Sequence, residues 1–408
     1  LATATVSPTV KAYIGGVGKT ITAGSLAVKA LHVLPTGGYS AKARTSGSAG
    51  GLIGVDATVS NATTSGSVSS YVADNSTLVI FGATIIGSGT LTRQKSDANS
   101  NTAGLIAAGI TTANATSNMS TLAWLGAGVR LTGSGLSISS TGTDDNYAVA
   151  TAGSGGVISG ASATAATTTG STNSASIGAN SNVELTTRGS GAFLLSAEHT
   201  ARFNAQERTL SGGLLAGAGA DIDNIVVATV NANIGNSSVV RARDIQIYAT
   251  SHVDKPWLSG ADNVKGSAFG LIAGGGVSSD TRFTLNTTIT VGDGAFLEVV
   301  GLPTANTLMT LHALNDIVAF DSVTFTSGGA LSGAIVNSTI RTIADLAQVN
   351  IGTGATLTSK GTIDISSRGM GNIVEKVNVD TYGAGTVTTG TTTVNINPVN
   401  EVNIGNSV

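Results

Sequence analysis

Apolar and polar residues alternate along much of the chain with a period of two. In one clear stretch, Val226, Ala228, Val230, Ala232 and Ile234 alternate with Val227, Thr229, Asn231 and Asn233. Successive side chains of a strand point to opposite faces, so the first set is predicted to face inward and the second outward. Beyond Gly235-Asn236-Ser237, Val240 and Ala242 continue the inward set, with Arg241 and Arg243 outward. Ile245, Ile247 and Ala249 resume it after a change of parity near Asp244. Such a change requires a corner or a bulge. The same layout recurs with Leu131, Leu136 and Ile138, and with Leu357, Ile363 and Ile365.

Two markers keep step along the whole chain. The first is an aliphatic residue followed by a turn glycine: Gly15, Gly126, Gly178, Gly235, Gly292, Gly352 and Gly405, with Val72-Ala73 as a version without glycine. Successive markers lie 52 to 60 residues apart. The second is a glycine leading an aliphatic and small-residue run, as in Gly51-Leu52-Ile53, Gly104-Leu105-Ile106, Gly156-Val157-Ile158, Gly213-Leu214-Leu215, Gly270-Leu271-Ile272 and Gly329-Ala330-Leu331. Short strands separated by Gly/Asn/Ser corners and repeated without helical periodicity predict an all-β fold. The expected architecture is a right-handed parallel β-helix, one continuous array over residues 1–408 with a unit of about 55 residues and open, uncapped ends. Each unit is expected to hold two or three coils, giving a rod very roughly 80–100 Å long at the usual strand spacing. The turn glycines are expected to supply positive φ at the corners.

The pattern Ala232-Asn233-Ile234-Gly235, then Val239-Val240-Arg241-Ala242, then Ile245-Gln246-Ile247-Tyr248-Ala249 resembles the leukotoxin-type and filamentous-haemagglutinin-like giant adhesins of Gram-negative bacteria. The resemblance runs over essentially the whole chain. It implies a secreted, cell-surface β-helical rod for attachment or matrix formation, and it supplies no catalytic residue.

Composition fits a narrow structure. Glycine accounts for 55 of 408 residues, aromatic residues for 4% and charged residues for 11%, where an ordinary domain has about 25% charged residues. The net charge of −3 argues against nucleic acid as a partner. There is no cysteine, hence no disulfide framework or thiolate metal site, and no apolar run long enough for a membrane-spanning helix. Both ends fall at equivalent phases of the unit. This predicts continuation in a longer chain, or self-association head-to-tail or laterally.

Little chemistry stands out. The irregular segment His252-Val253-Asp254-Lys255-Pro256-Trp257 repeats the phase of His32-Val33-Leu34-Pro35, and insertions at one phase emerge along one face. Asp254, Lys255 and Trp257 are therefore candidate contacts to a host-cell or glycan surface. Gly15-Gly16-Val17-Gly18-Lys19-Thr20 superficially resembles a phosphate loop, but it coincides with the repeat's own turn, whereas a phosphate loop opens a helix. His32, His199, His252 and His312 are expected at exposed ends of the same strand in different coils, too far apart to share a metal. The close carboxylates are Asp144-Asp145 and Asp221 with Asp223, the latter pair expected to face water. No cofactor is expected. An extracellular structural or adhesive fibre, not an enzyme, is the function these features favour. The alternatives are a carbohydrate-active β-helix enzyme, which needs paired carboxylates, and an ice- or mineral-binding solenoid, which needs a regular threonine face.

Overall fold

The computed structural model describes residues 1–186, 191–258, 261–301 and 308–408. Among them every regular element is a strand, and all pairing is parallel. The short strands Thr20–Ala23, Thr77–Ile80, Arg130–Thr132, Asn182–Glu184, Val239–Ala242, Phe296–Val299 and Thr356–Ser359 stack in chain order as one sheet. The long strands, among them Ala83–Leu125, Gly135–Ile177 and Ala192–Ile234, stack as a second. The ladder runs from Ala2–Val6 to Pro398–Ile404.

Partners in the ladder stand a whole unit apart. Ala192 pairs with Asp244, Asn182 with Val239 and Ile245 with Met309. One unit is therefore one turn, or rung, and not the two or three coils expected. Seven stacked short strands rise only about 30 Å at the usual interstrand spacing, while each turn is correspondingly broad. Successive markers of equal phase sit directly above one another for the same reason.

The alternation of the sequence translates directly into burial. Val226, Ala228, Val230, Ala232 and Ile234 are buried, as are Val240, Ala242, Ile245, Ile247 and Ala249, and the parity changes at Arg243-Asp244. The turn is flattened. Its two long faces lie back to back and are bridged by interior hydrogen bonds such as Ser140 to the Thr121 carbonyl and Asn146 to Thr169. One end closes at the second marker, where Ala148, Ala150 and Ala152 pack with Ala161, Ala163 and Ala165. Only small side chains suit faces that converge there. The other end must also cover the short-strand sheet, and it is filled by larger residues such as Leu131, Ile138, Ile177 and Val183. Each such side chain contributes about 1.5–3 kcal/mol on burial.

Candidate functional site

The turn glycines form one column, and their role is steric. A Cβ on Gly126 would lie 2.7 Å from the Asp74 backbone nitrogen, one on Gly292 2.6 Å from that of Asn236, and one on Gly352 2.6 Å from that of Asp293. Gly178, Gly235 and Gly405 are equally crowded by the turn of the preceding rung. Gly15 differs, since its Cβ would meet its own Tyr13 ring. Contrary to expectation, positive φ is not found at these glycines. It falls two residues further on in the later rungs, at Asn75, Gly128, Asn180, Ser237, Gly294, Gly354 and Ser407. In three rungs the residue between the two positions is an Asp or Asn whose side chain accepts from the next rung's backbone: Ala127 N–H donates to Asp74 (2.9 Å), Asp293 N–H to Asn236 (3.1 Å) and Thr353 N–H to Asp293 (2.8 Å). In the first rung Gly16 and Gly18 take positive φ, and the segment leads into strand Thr20–Ala23, not a helix.

The proposed contact segment does not hold together as a surface. Lys255 is 0% exposed. Its ammonium is 2.9 Å from Asp321 Oδ1 and donates to Thr281 (3.2 Å), while Ser338 donates to the other Asp321 oxygen (2.9 Å). Parity explains this, because Lys255 continues the inward set Ser251 and Val253. Asp254 faces Arg202 at 3.7 Å, and Trp257 is half-exposed, edge-on to Phe320. Near the buried pair, burial and the Asp321 charge push the Glu375 carboxyl up to about 7.

The histidines also depart from expectation. His199 is fully buried, and its Nε2 lies 2.9 Å from Asp144 Oδ2. Asp144 also accepts from Ser171 (2.6 Å) and Thr92 (2.7 Å). Burial alone would raise the Asp144 carboxyl. The hydrogen bond and charge of His199, with the two hydroxyls, outweigh it and hold the group below its ordinary value. Three rungs and both long faces meet at this one carboxylate, which ties the layers together. His252 pairs with Asp316 at 3.0 Å and His312 with Asp364 at 2.9 Å, each across adjacent rungs. The four rings do not share one position: His32 and His199 occupy one column, and His252 and His312 lie in others.

Among the other carboxylates, Asp145 accepts from Arg93 (2.8 Å). Asp223 pairs with Arg282, which also faces Asp280, and Arg341 reaches Asp280 at 3.0 Å. Asp221 accepts from Ser278. The outer acidic pair is thus part of a mixed-charge lattice. Glu207 is buried, and burial, reinforced by the Asp221 charge, raises it well above the carboxylate range. No group of three or more metal-ligating side chains is placed to hold an ion among the described residues.

The second marker builds the most distinctive surface. At this corner each rung's glycine sits against the previous one: a Cβ on Gly104 would lie 2.5 Å from the Gly51 carbonyl oxygen, and Gly156, Gly213, Gly270, Gly329 and Gly383 are equally tight. The two residues after it both face out. Leu52-Ile53, Leu105-Ile106, Val157-Ile158, Leu214-Leu215 and Leu271-Ile272 are 40–72% exposed. The second of each pair stacks in register from Ile53 to Leu331, forming a continuous aliphatic ridge. Beside it, two residues further along each strand, Gly217, Gly274 and Gly333 floor a groove of about 620 Å³, and Gly160 continues the same column in the rung before. Sequence reasoning found the marker but not the surface. The signal was present, because two adjacent large aliphatic residues cannot both face inward in a strand.

No family model matches the chain, and no curated protein or solved structure matches it.

Proposed function

We propose that the chain is a shaft segment of an extracellular, cell-surface fibre of bacterial origin. The shaft would be a right-handed β-solenoid built from units of about 55 residues, serving attachment or matrix formation as in the adhesins it resembles. One observation carries the reading: the same turn, core column and glycine corner recur in each rung, stacked in register from one end of the ladder to the other. Such architecture suits extension and display. The buried ionisable groups, Lys255 with Asp321 and His199 with Asp144, lie inside the shaft and bind its faces together. Outward contacts to a host or glycan surface would then fall to exposed positions such as Trp257.

Electron microscopy of the native material, labelled with antibody to this chain, tests the proposal. Label along thin filaments on the cell surface is the expected result. Label confined to the cell interior, or turnover of acidic or neutral polysaccharides by the purified chain, would refute it.

A further inference from the structure

Three of the four glycines on the open face of the second marker, Gly160, Gly217 and Gly333, are not required by the chain's own packing, whereas a Cβ on Gly274 would lie 3.1 Å from the Gly333 carbonyl oxygen. A Cβ on Gly160 would meet nothing within 4 Å, and one on Gly217 or Gly333 only a backbone oxygen at 3.9 or 3.7 Å. Their φ values are not positive. Glycine within a strand costs about 0.5–1 kcal/mol relative to alanine and marks places where another surface approaches closely. The column therefore needs an occupant to account for it.

The chain carries a matching one. In rung after rung the ridge position and the groove position are opposite in size: Ile106 with Ala108, Ile158 with Gly160, Leu215 with Gly217, Ile272 with Gly274 and Leu331 with Gly333. In the last rung the order reverses, so that Gly385 stands in the ridge column and Val387 in the groove column. Only Ile53 with Val55 is large at both. A two-fold axis along the stacking direction would set each ridge residue of one copy over the groove residue of the same rung in the other. Large would then meet small from Ile106 to Val387, the reversed rung included. Such a contact is isologous and self-complementary.

We propose that this face is the interface between two parallel copies of the chain, ridge into groove, with rungs in register. The inference deepens the fibre reading and rests on it, since it makes the shaft double. Two further arguments select a second copy. The outward ridge and groove residues carry no ionisable group, so no charge is desolvated. The ridge residues from Ile53 to Leu331 are each 40–64% exposed, so a contiguous aliphatic strip runs through six rungs, and a contiguous exposed apolar patch of that kind marks an association surface. A polysaccharide would find neither aromatic rings nor more than one hydroxyl, that of Ser159, in the groove lining.

The test is sedimentation equilibrium of the purified chain over a concentration series, with circular dichroism as the check on folding. The wild type is expected to pair. Gly217→Val fills the groove where the fold leaves room and should weaken pairing by about tenfold or more. Leu215→Ala combined with Gly217→Val swaps large and small within one rung, as Gly385 and Val387 already do, and should restore most of the affinity. A wild-type chain that stays monomeric well above micromolar concentration overturns the inference and leaves the fibre reading intact, because that reading is judged by imaging. Pairing that is indifferent to Gly217→Val, or not regained by the double variant, overturns it too. Should Gly217→Val fail to fold, Gly333→Val serves in its place.

Discussion

Two residues of the same turn do different work. The marker glycine is excluded from carrying a Cβ by the backbone of the rung beneath, while the residue two places on needs a left-handed backbone. Substitution should separate them. Gly235→Ala forces a methyl into the preceding turn and is expected to destabilise by about 1–3 kcal/mol or more. Ser237, at φ 56°, bears the left-handed strain of an L-residue, so Ser237→Gly should be neutral or stabilising by up to about 1 kcal/mol. Chemical denaturation of the two variants checks both signs. In the interior, Lys255→Ala leaves the Asp321 charge buried and unpaired and should cost about 3–5 kcal/mol. Lys255→Met with Asp321→Leu removes both charges and should lie much closer to wild type. Equal losses for the single and double variants, read from the same denaturation curves, would contradict this.

At the scale of the strand, alternation was a dependable guide. It assigned the inward sets around Val230 and Ile247, and it also carried the fate of polar residues that were expected outside or left unplaced. His199 continues the parity of Leu195 and Ala197, Asp144 that of Ile138 and Ser140, and Lys255 that of Ala249 and Val253. Each lies where its parity puts it, inside. Corners were legible as breaks in parity, but how far the chain travels before it closes a turn was not. A corner looks the same whether a coil holds twenty residues or one whole unit, and closure is decided by which residues pair. The two markers recur once per unit however many coils a unit holds, so only the pairing one unit apart decides it. Bulges are local and left no such trace: between Phe283 and Thr284 the register against the next strand slips, leaving Ile343 without a partner and exposed.

Across the whole molecule, interior carboxylates set the response to pH. Burial raises Glu207 well above its ordinary 4.5 and Glu375 to about 7, and it raises Asp345 as well. The folded chain thus holds protons that the unfolded chain releases above about 4.5, and stability present in mild acid is lost as pH climbs through about 7. Glu207 extends this loss further. His32, lowered by burial, works in the opposite sense below its ordinary 6.5, and the depressed Asp144 loses its contribution only below its ordinary 3.8. Melting temperature should therefore fall between about pH 5 and pH 8. Glu207→Gln with Glu375→Gln should flatten that slope; a wild-type profile rising toward alkaline pH would contradict the account. The ladder itself has a genetic corollary. Since a turn closes after one unit and presents the same corner, bend and core columns above and below, tandem copying of a single unit within the gene inserts a floor that already fits both neighbours. Length can then drift by recombination.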